Sequence, residues 1–269
     1  MTEAGDGDGD GDGDGDGDAG GTSGRSFSSR IVGGDLADIT EHPWMAGLFF
    51  RDESGGISMC AGSLIAARWV LTAAHCVRGA ERAMVHLGGT RIDTPTQRLV
   101  STFLVTHERF NASSLLNDIA LVRLPSAVTF DATVRPIRLP SRATGSVALS
   151  GLRSLQVSGW GVYSDATQEV SEQLRHVTVT VLDSQAPLCA SRWRLAPSQM
   201  CVDTSRGRGP CVGDSGGPLE LRWRYRDTVQ LGLVSYGGSE GCEVGVPVVF
   251  TRLSEYLDWI SDKTGLDLS

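Results

Sequence analysis

Lysine is nearly missing from this chain: of its 24 basic residues only Lys263 is a lysine. The remaining arginines are not gathered into an extended basic stripe, alternating with aromatics only in the short runs Arg192-Trp-Arg194 and Arg222-Trp-Arg-Tyr-Arg226, which argues against nucleic acid as a partner. No apolar run approaches the ~20 residues needed to span a bilayer, so no membrane span is expected. The N-terminus has no basic stretch followed by an apolar one, and a signal peptide is therefore not visible. The six cysteines include no Cys-x-x-Cys pair, which leaves zinc-ribbon and thioredoxin-like chemistry with little support. Nothing in the first half is long and periodic enough for a substantial helix.

What remains is a chain of 269 residues, enough for one large domain or two small ones, with 40% hydrophobic residues to build a core. Glu3 and seven aspartates against Arg25 and Arg30 place −6 of the formal −8 charge in residues 1–30. Residues 5–18 are seven Gly-Asp repeats with nothing to bury, and they read as a disordered, solvated tail. Calcium binding by so many carboxylates is the alternative, but calcium loops need a defined turn and a closing bidentate acid. At Arg30-Ile31-Val-Gly-Gly34 the composition changes abruptly. A flexible Ser-rich approach ending in Arg30 is an exposed place for proteolysis, and equally just the start of a domain. An even number of cysteines fits three disulfides formed in an oxidising compartment, with 15 pairings open.

From Trp44 onward, short apolar runs alternate with turn formers: Met45 to Phe50, Ser63 to Ile65, Trp69 to Thr72, Met84 to Leu87, Arg98 to Val105 and Ile119 to Leu124. Residues 134–155, rich in Pro, Ser and Gly, read as a connection. The pattern resumes at Gln156 to Trp160, His176 to Leu182, Pro218 to Leu221, Val229 to Ser235 and Val248 to Thr251. Such spacing predicts an all-β sandwich or barrel. Ser254 as N-cap, with Leu253, Leu257 and Ile260 on one face, predicts a terminal helix over 254–263 that docks on the second half.

Ser215 stands between Gly213 and Gly216-Gly217 in Cys211-Val-Gly-Asp-Ser-Gly-Gly-Pro-Leu219. Glycine on both sides leaves the hydroxyl unshielded and lets backbone N–H groups reach a reacting atom, although the same residues also make ordinary turns. Leu71-Thr-Ala-Ala-His-Cys76 ends a small-residue run at His75, where a lone histidine is more often a packed, hydrogen-bonded one. Asp118 leads the alternating run Asp118-Ile-Ala-Leu-Val-Arg-Leu124. A carboxylate beside apolar Ile119 is costly unless something holds it, and an imidazole would.

His75, Asp118 and Ser215, in that chain order, resemble the chymotrypsin-like (trypsin-fold) serine peptidases. Ile31-Val-Gly-Gly34, His42-Pro-Trp44, Cys60-Ala-Gly-Ser-Leu-Ile65, Ser158-Gly-Trp-Gly161 and Ser235-Tyr-Gly237 match as well, so the likeness covers residues 31 to about 263. It implies two six-stranded antiparallel β-barrels, about 31–140 and 141–252, with a short C-terminal α-helix and the site in the crevice between the barrels. It implies disulfides Cys60–Cys76, Cys189–Cys201 and Cys211–Cys242.

In such a peptidase Ser215 is the nucleophile, His75 the general base and Asp118 its orienter, with Gly213 and Ser215 N–H groups as the oxyanion hole. Asp214 would pair with the amine of Ile31 once the chain is cut after Arg30, so a zymogen and an activating trypsin-like protease are expected. The primary pocket would be walled by Gly209, Pro210, Val212, Ser235, Tyr236, Gly237 and Val248. Gly209 stands where trypsin-like members carry Asp, and Val248 where Gly is usual, which favours small to medium apolar side chains on the acyl side of the cut. Phe or Tyr is accommodated if Val248 turns aside; Glu243, in the Cys242 to Val246 loop, would alter this by leaning toward the pocket, although such an acid more often faces solvent. The loop Gly-Gly-Thr-Arg-Ile-Asp after Leu87 lacks the paired acids some members use for calcium, so no metal or cofactor is expected. Asn111-Ala-Ser113 is a glycosylation sequon that matters only on a eukaryotic secretory route. The expected partners are protein or peptide substrates and protein protease inhibitors, for a monomer that is secreted or extracytoplasmic. The rival reading is a catalytically silent homologue used as a binding module, but such proteins usually lack a triad residue.

Overall fold

A computed structural model describes residues 32–141, 155–223 and 227–268. The Gly-Asp repeats, Arg30, Ile31 and most of the expected connection lie outside the described residues. Fourteen described strands fall into two antiparallel sheets. The first contains β2 (Met45–Asp52), β3 (Ile57–Ala66), β4 (Trp69–Thr72), β5 (Ala80–Leu87), β6 (Gln97–Ser101), β7 (Phe103–Thr106) and β8 (Ala120–Arg123). The second contains β1 (Asp35–Leu36), β9 (Leu155–Gly159), β10 (Arg175–Leu182), β11 (Gln199–Asp203), β12 (Pro218–Trp223), β13 (Asp227–Tyr236) and β14 (Val248–Arg252).

The run Arg98 to Val105, expected as one strand, bends at Thr102. Ser101 Oγ donates to Arg123 O (2.6 Å) and accepts from Phe103 N–H (3.0 Å), diverting the ladder for one residue. Its first half pairs with β5 and its second with β8, so the sheet curls on itself with six strands when 97–106 counts as one. The second sheet closes where β9 pairs with β10, making a six-stranded barrel, with β1 on the part of β10 that β11 leaves unpaired. In β10 the sequence alternates as the structure does: Val177, Val179 and Val181 are buried among Leu155, Met200, Leu219 and Phe250. Strand β11 escaped the sequence reading because Pro197 precedes it and a polar Gln199 opens it.

The terminal helix corrects two expectations. It runs Leu257–Thr264 after a 3-10 turn Leu253–Glu255, and Ser254 caps nothing; its Oγ accepts from Arg252 Nε (3.0 Å). It ends at Gly265 with φ 73°, the left-handed stop that glycine supplies. The helix packs on the first half rather than the second. Tyr256 and Ile260 join the core of the first sheet, Trp259 Nε1 donates to Glu108 Oε2 (2.9 Å), and the His107 ring lies 5.1 Å from that of Trp259. Periodicity showed which helix face is apolar but carried no information about the surface that receives it.

Candidate active site

Asp118 is set by the turn before β8. Leu115 and Asn117 have φ of 51° and 55°, and Asn117 Nδ2 donates to Arg109 O (2.7 Å). Asparagine tolerates this left-handed conformation better than most residues. The pivot drives the Asp118 carboxylate fully into the interior, where it accepts three hydrogen bonds. His75 N–H reaches Oδ1 (2.9 Å), His75 Nδ1 reaches Oδ2 (2.8 Å) and Ser235 Oγ donates to Oδ2 (2.6 Å). These bonds offset the cost of burying the acid, as its position beside Ile119 required.

His75 sits in a single helical turn, Ala74–Val77, directly after β4. Ala73 and Ala74 are fully buried, so the turn lies close to the sheet while the imidazole stays 28% exposed. The disulfide Cys60–Cys76 fastens the next residue to β3. The other bridges are Cys189–Cys201 and Cys211–Cys242.

Ser215 lies on a turn in which Gly213 and Gly216 have φ of 95° and 79°. A Cβ on Gly216 would fall 2.7 Å from Ala61 O and Ala73 N, so only glycine lets the serine turn meet the segment that carries His75. Ala61 N–H donates to Ser215 O (2.9 Å) across the two sheets. Among the described residues no hydrogen bond joins Ser215 Oγ to His75. Such contacts are often long without substrate and tighten when it binds. Asp214, Gly216 and Gly217 N–H groups are all engaged within the fold, whereas those of Gly213 and Ser215 donate to no described acceptor.

Asp214 is completely buried and accepts from Gly161 N–H (2.8 Å) and Cys211 N–H (3.0 Å). Burial pushes its pKa up to about 6, against the pull of those two donors. The carboxylate also explains two glycines. A Cβ on Gly161 would lie 2.5 Å from Asp214 Cγ, and one on Gly159 would overlap Oδ1. Val32, 1% exposed, accepts from Gly209 N–H (3.1 Å) and packs with Val162 and Cys211.

Beside Ser215 is a cavity of about 130 Å³, lined by six of the seven expected wall residues. The exception is Gly209, which is buried against Thr204; a Cβ there would fall 2.5 Å from Thr204 Cγ2. Val248 closes the pocket opposite Gly237, whose ideal Cβ would be 3.3 Å from Val248 Cγ2. Glu243 is turned away: Oε2 accepts from Asp165 N–H (3.0 Å), and Asp165 in turn accepts from Glu243 N–H (2.8 Å).

The sequence reading missed a third buried carboxylate, Glu220 on β12. It accepts from Trp44 Nε1 (2.9 Å), Ser158 Oγ (2.6 Å) and His42 Nδ1 (2.9 Å). Burial alone would raise its pKa, but His42 and these hydrogen bonds outweigh it and hold the group below the ordinary carboxylate range. The available signal was a lone acid between Leu219 and Leu221, together with polar ring nitrogens in His42-Pro-Trp44.

Comparison with known proteins places the chain among peptidases of one family. A family model described as Trypsin matches residues 31–260. Brachyurin from Leptuca pugilator is 38% identical over 239 residues, covering 88% of this chain and 99% of that protein. Collagenase from Hypoderma lineatum is 35% identical, covering 88% of each. A solved structure of HL collagenase superposes with a TM-score of 0.80 at 34% identity, covering 88% of this chain and 100% of that one.

Proposed function

Since this chain belongs to the trypsin family and is a serine endopeptidase, we propose that Ser215, His75 and Asp118 perform its chemistry and that it cuts after small to medium apolar residues. Ser215 Oγ attacks the scissile carbonyl as His75 Nε2 takes its proton, and His75 then returns that proton to the leaving amine. Water repeats the sequence to release the acyl group. Asp118 keeps a proton on Nδ1, so Nε2 faces the serine as an acceptor. The unengaged N–H groups of Gly213 and Ser215 hold the oxyanion, each such donor being worth about 3 kcal/mol in the transition state. The observation that carries this reading is the buried Asp118 carboxylate bonded to both the backbone and the ring of His75. After cutting behind Arg30, a fluorophosphonate probe is expected to label the protein stoichiometrically, and Ser215→Ala to abolish labelling. Labelling that survives this substitution would overturn the assignment.

The apolar preference rests on a pocket without a charged lining residue and of about 130 Å³, slightly less than a ~150 Å³ cavity that admits benzene. Across peptide substrates differing only at the residue before the cut, kcat/KM is expected to be highest for Ala, Val, Leu or Met and lowest for Arg and Lys. Val248→Gly should shift the ratio toward Phe by about tenfold or more, since apolar pocket changes of this size are worth ~1–3 kcal/mol. A preference for Arg in the unaltered protein would sink the pocket assignment. Three disulfides support action outside the cytoplasm, on protein or peptide substrates, as a monomer made in an inactive form that a trypsin-like protease activates after Arg30. Protein protease inhibitors are the further partners this site suits.

A further inference from the structure

The Glu220 cluster continues outward into polar groups that the peptidase chemistry does not use. His42 follows the 3-10 turn Ile39–Glu41, and its Nδ1 is held by the buried Glu220 carboxylate at 2.9 Å. Its other nitrogen, Nε2, lies 2.9 Å from Nδ1 of His176 on β10. A carboxylate oxygen of Glu41 completes a group whose ligand atoms all lie within 4.8 Å of one another. His42 is buried, His176 half-buried and Glu41 exposed, so the cluster opens to solvent on the Glu41 side.

Two imidazole nitrogens this close share one proton, and a divalent cation can take that proton's place. We propose that His42 Nε2, His176 Nδ1 and a Glu41 carboxylate oxygen form a site for zinc or a similar divalent transition metal, with Glu220 orienting His42 from behind. Two imidazoles and one carboxylate suit such a metal, whereas calcium and magnesium call for all-oxygen ligands. A carboxylate behind a metal-binding histidine fixes its ring and tautomer and raises its basicity. Zn–N bonds of about 2.0–2.1 Å in a tetrahedron put the nitrogens ~3.3 Å apart, so the rings need separate only by a few tenths of an ångström.

The framework is already tied to its neighbours. Asp38 Oδ1 accepts from Thr40 N–H (2.8 Å) within the turn, and β1 pairs Asp35 with His176 itself. The bound metal therefore ties the segment 35–42 to the second barrel, with water in the remaining coordination position. One group opposes it: the exposed Arg222 guanidinium lies 3.4 Å from His42 Nε2 and 3.3 Å from Glu41 O, and it must swing away.

The test is zinc titration of the metal-stripped full chain, with free zinc read by a competing chromophoric chelator. One tight equivalent is expected. His176→Gln and Glu41→Gln should each weaken it by about tenfold or more, Arg222→Gln should strengthen it, and His75→Ala should leave it intact. Glu41 is exposed, so its substitution keeps the experiment decisive even if His176→Gln does not fold. Absence of a tight equivalent, unchanged affinity in Glu41→Gln, or loss of the site in His75→Ala would each overturn the proposal.

Discussion

Asp118→Asn is expected to lower kcat by about 10⁴-fold, the loss that follows when only the orienting acid of this type of triad is changed. Asp118 receives three donors: two on Oδ2, from His75 Nδ1 and Ser235 Oγ, and one on Oδ1, from His75 N–H. Asparagine has a single oxygen. If that oxygen keeps the backbone N–H, the new NH₂ faces His75 Nδ1, which must then become an acceptor. The ring proton moves to Nε2, and the nitrogen facing Ser215 can no longer take a proton. If the oxygen instead keeps Nδ1–H, the NH₂ meets His75 N–H, donor against donor, at about 1–3 kcal/mol. The first arrangement therefore wins, folded and nearly inactive. Turnover on a peptide substrate, measured beside circular dichroism and KM, checks this. A folded variant within tenfold of the parent would show that the Asp118 contact does not set the tautomer.

Asp118 also shows how much the residues alone could reveal. Its cost beside Ile119 was visible in the sequence, and so was the need for an imidazole to meet it, because burial of a charge is a local matter. The strands were legible for the same reason, with alternation in 175–182 matching the inward valines of β10. What stayed hidden depends on distant partners. The sequence of Leu257 to Ile260 showed an apolar face but not that His107 and Glu108 would receive it. Glu220 looked like one polar residue in a strand because its three donors come from positions 42, 44 and 158. Gly209 occupies the expected place in the chain yet lies behind Thr204 instead of on the cavity wall. The glycines of Ser158-Gly-Trp-Gly161 were visible as a motif, but only the Asp214 carboxylate pressed against them supplies their reason.

That same carboxylate leads to the second large effect: uncut protein should be less active than protein cut after Arg30 by at least about 10²–10³-fold, the worth of one oxyanion donor. Asp214 lies between Gly213 and Ser215, so whatever positions its side chain also positions both N–H groups. Among the described residues it has no cationic partner. With its folded pKa raised to about 6, its contribution to stability is fully present below the unfolded value near 3.8 and is lost as pH rises through 6. At neutral pH the buried anion therefore costs on the order of 3 kcal/mol. A free Ile31 amine beside Val32, which is already buried against Gly209 and Cys211, would neutralise it. Pairing lowers the Asp214 pKa from its uncut value and raises that of the amine above its usual ~8. Cutting should thus raise the melting temperature by several degrees at pH 7 and change it little at pH 4. The gain, and the activity with it, should fade as pH climbs through the raised amine value. Acetylating Ile31 should remove both. Melting curves and turnover of cut, uncut and acetylated protein across pH 4–10 decide the matter, and full activity in the uncut chain would refute the switch.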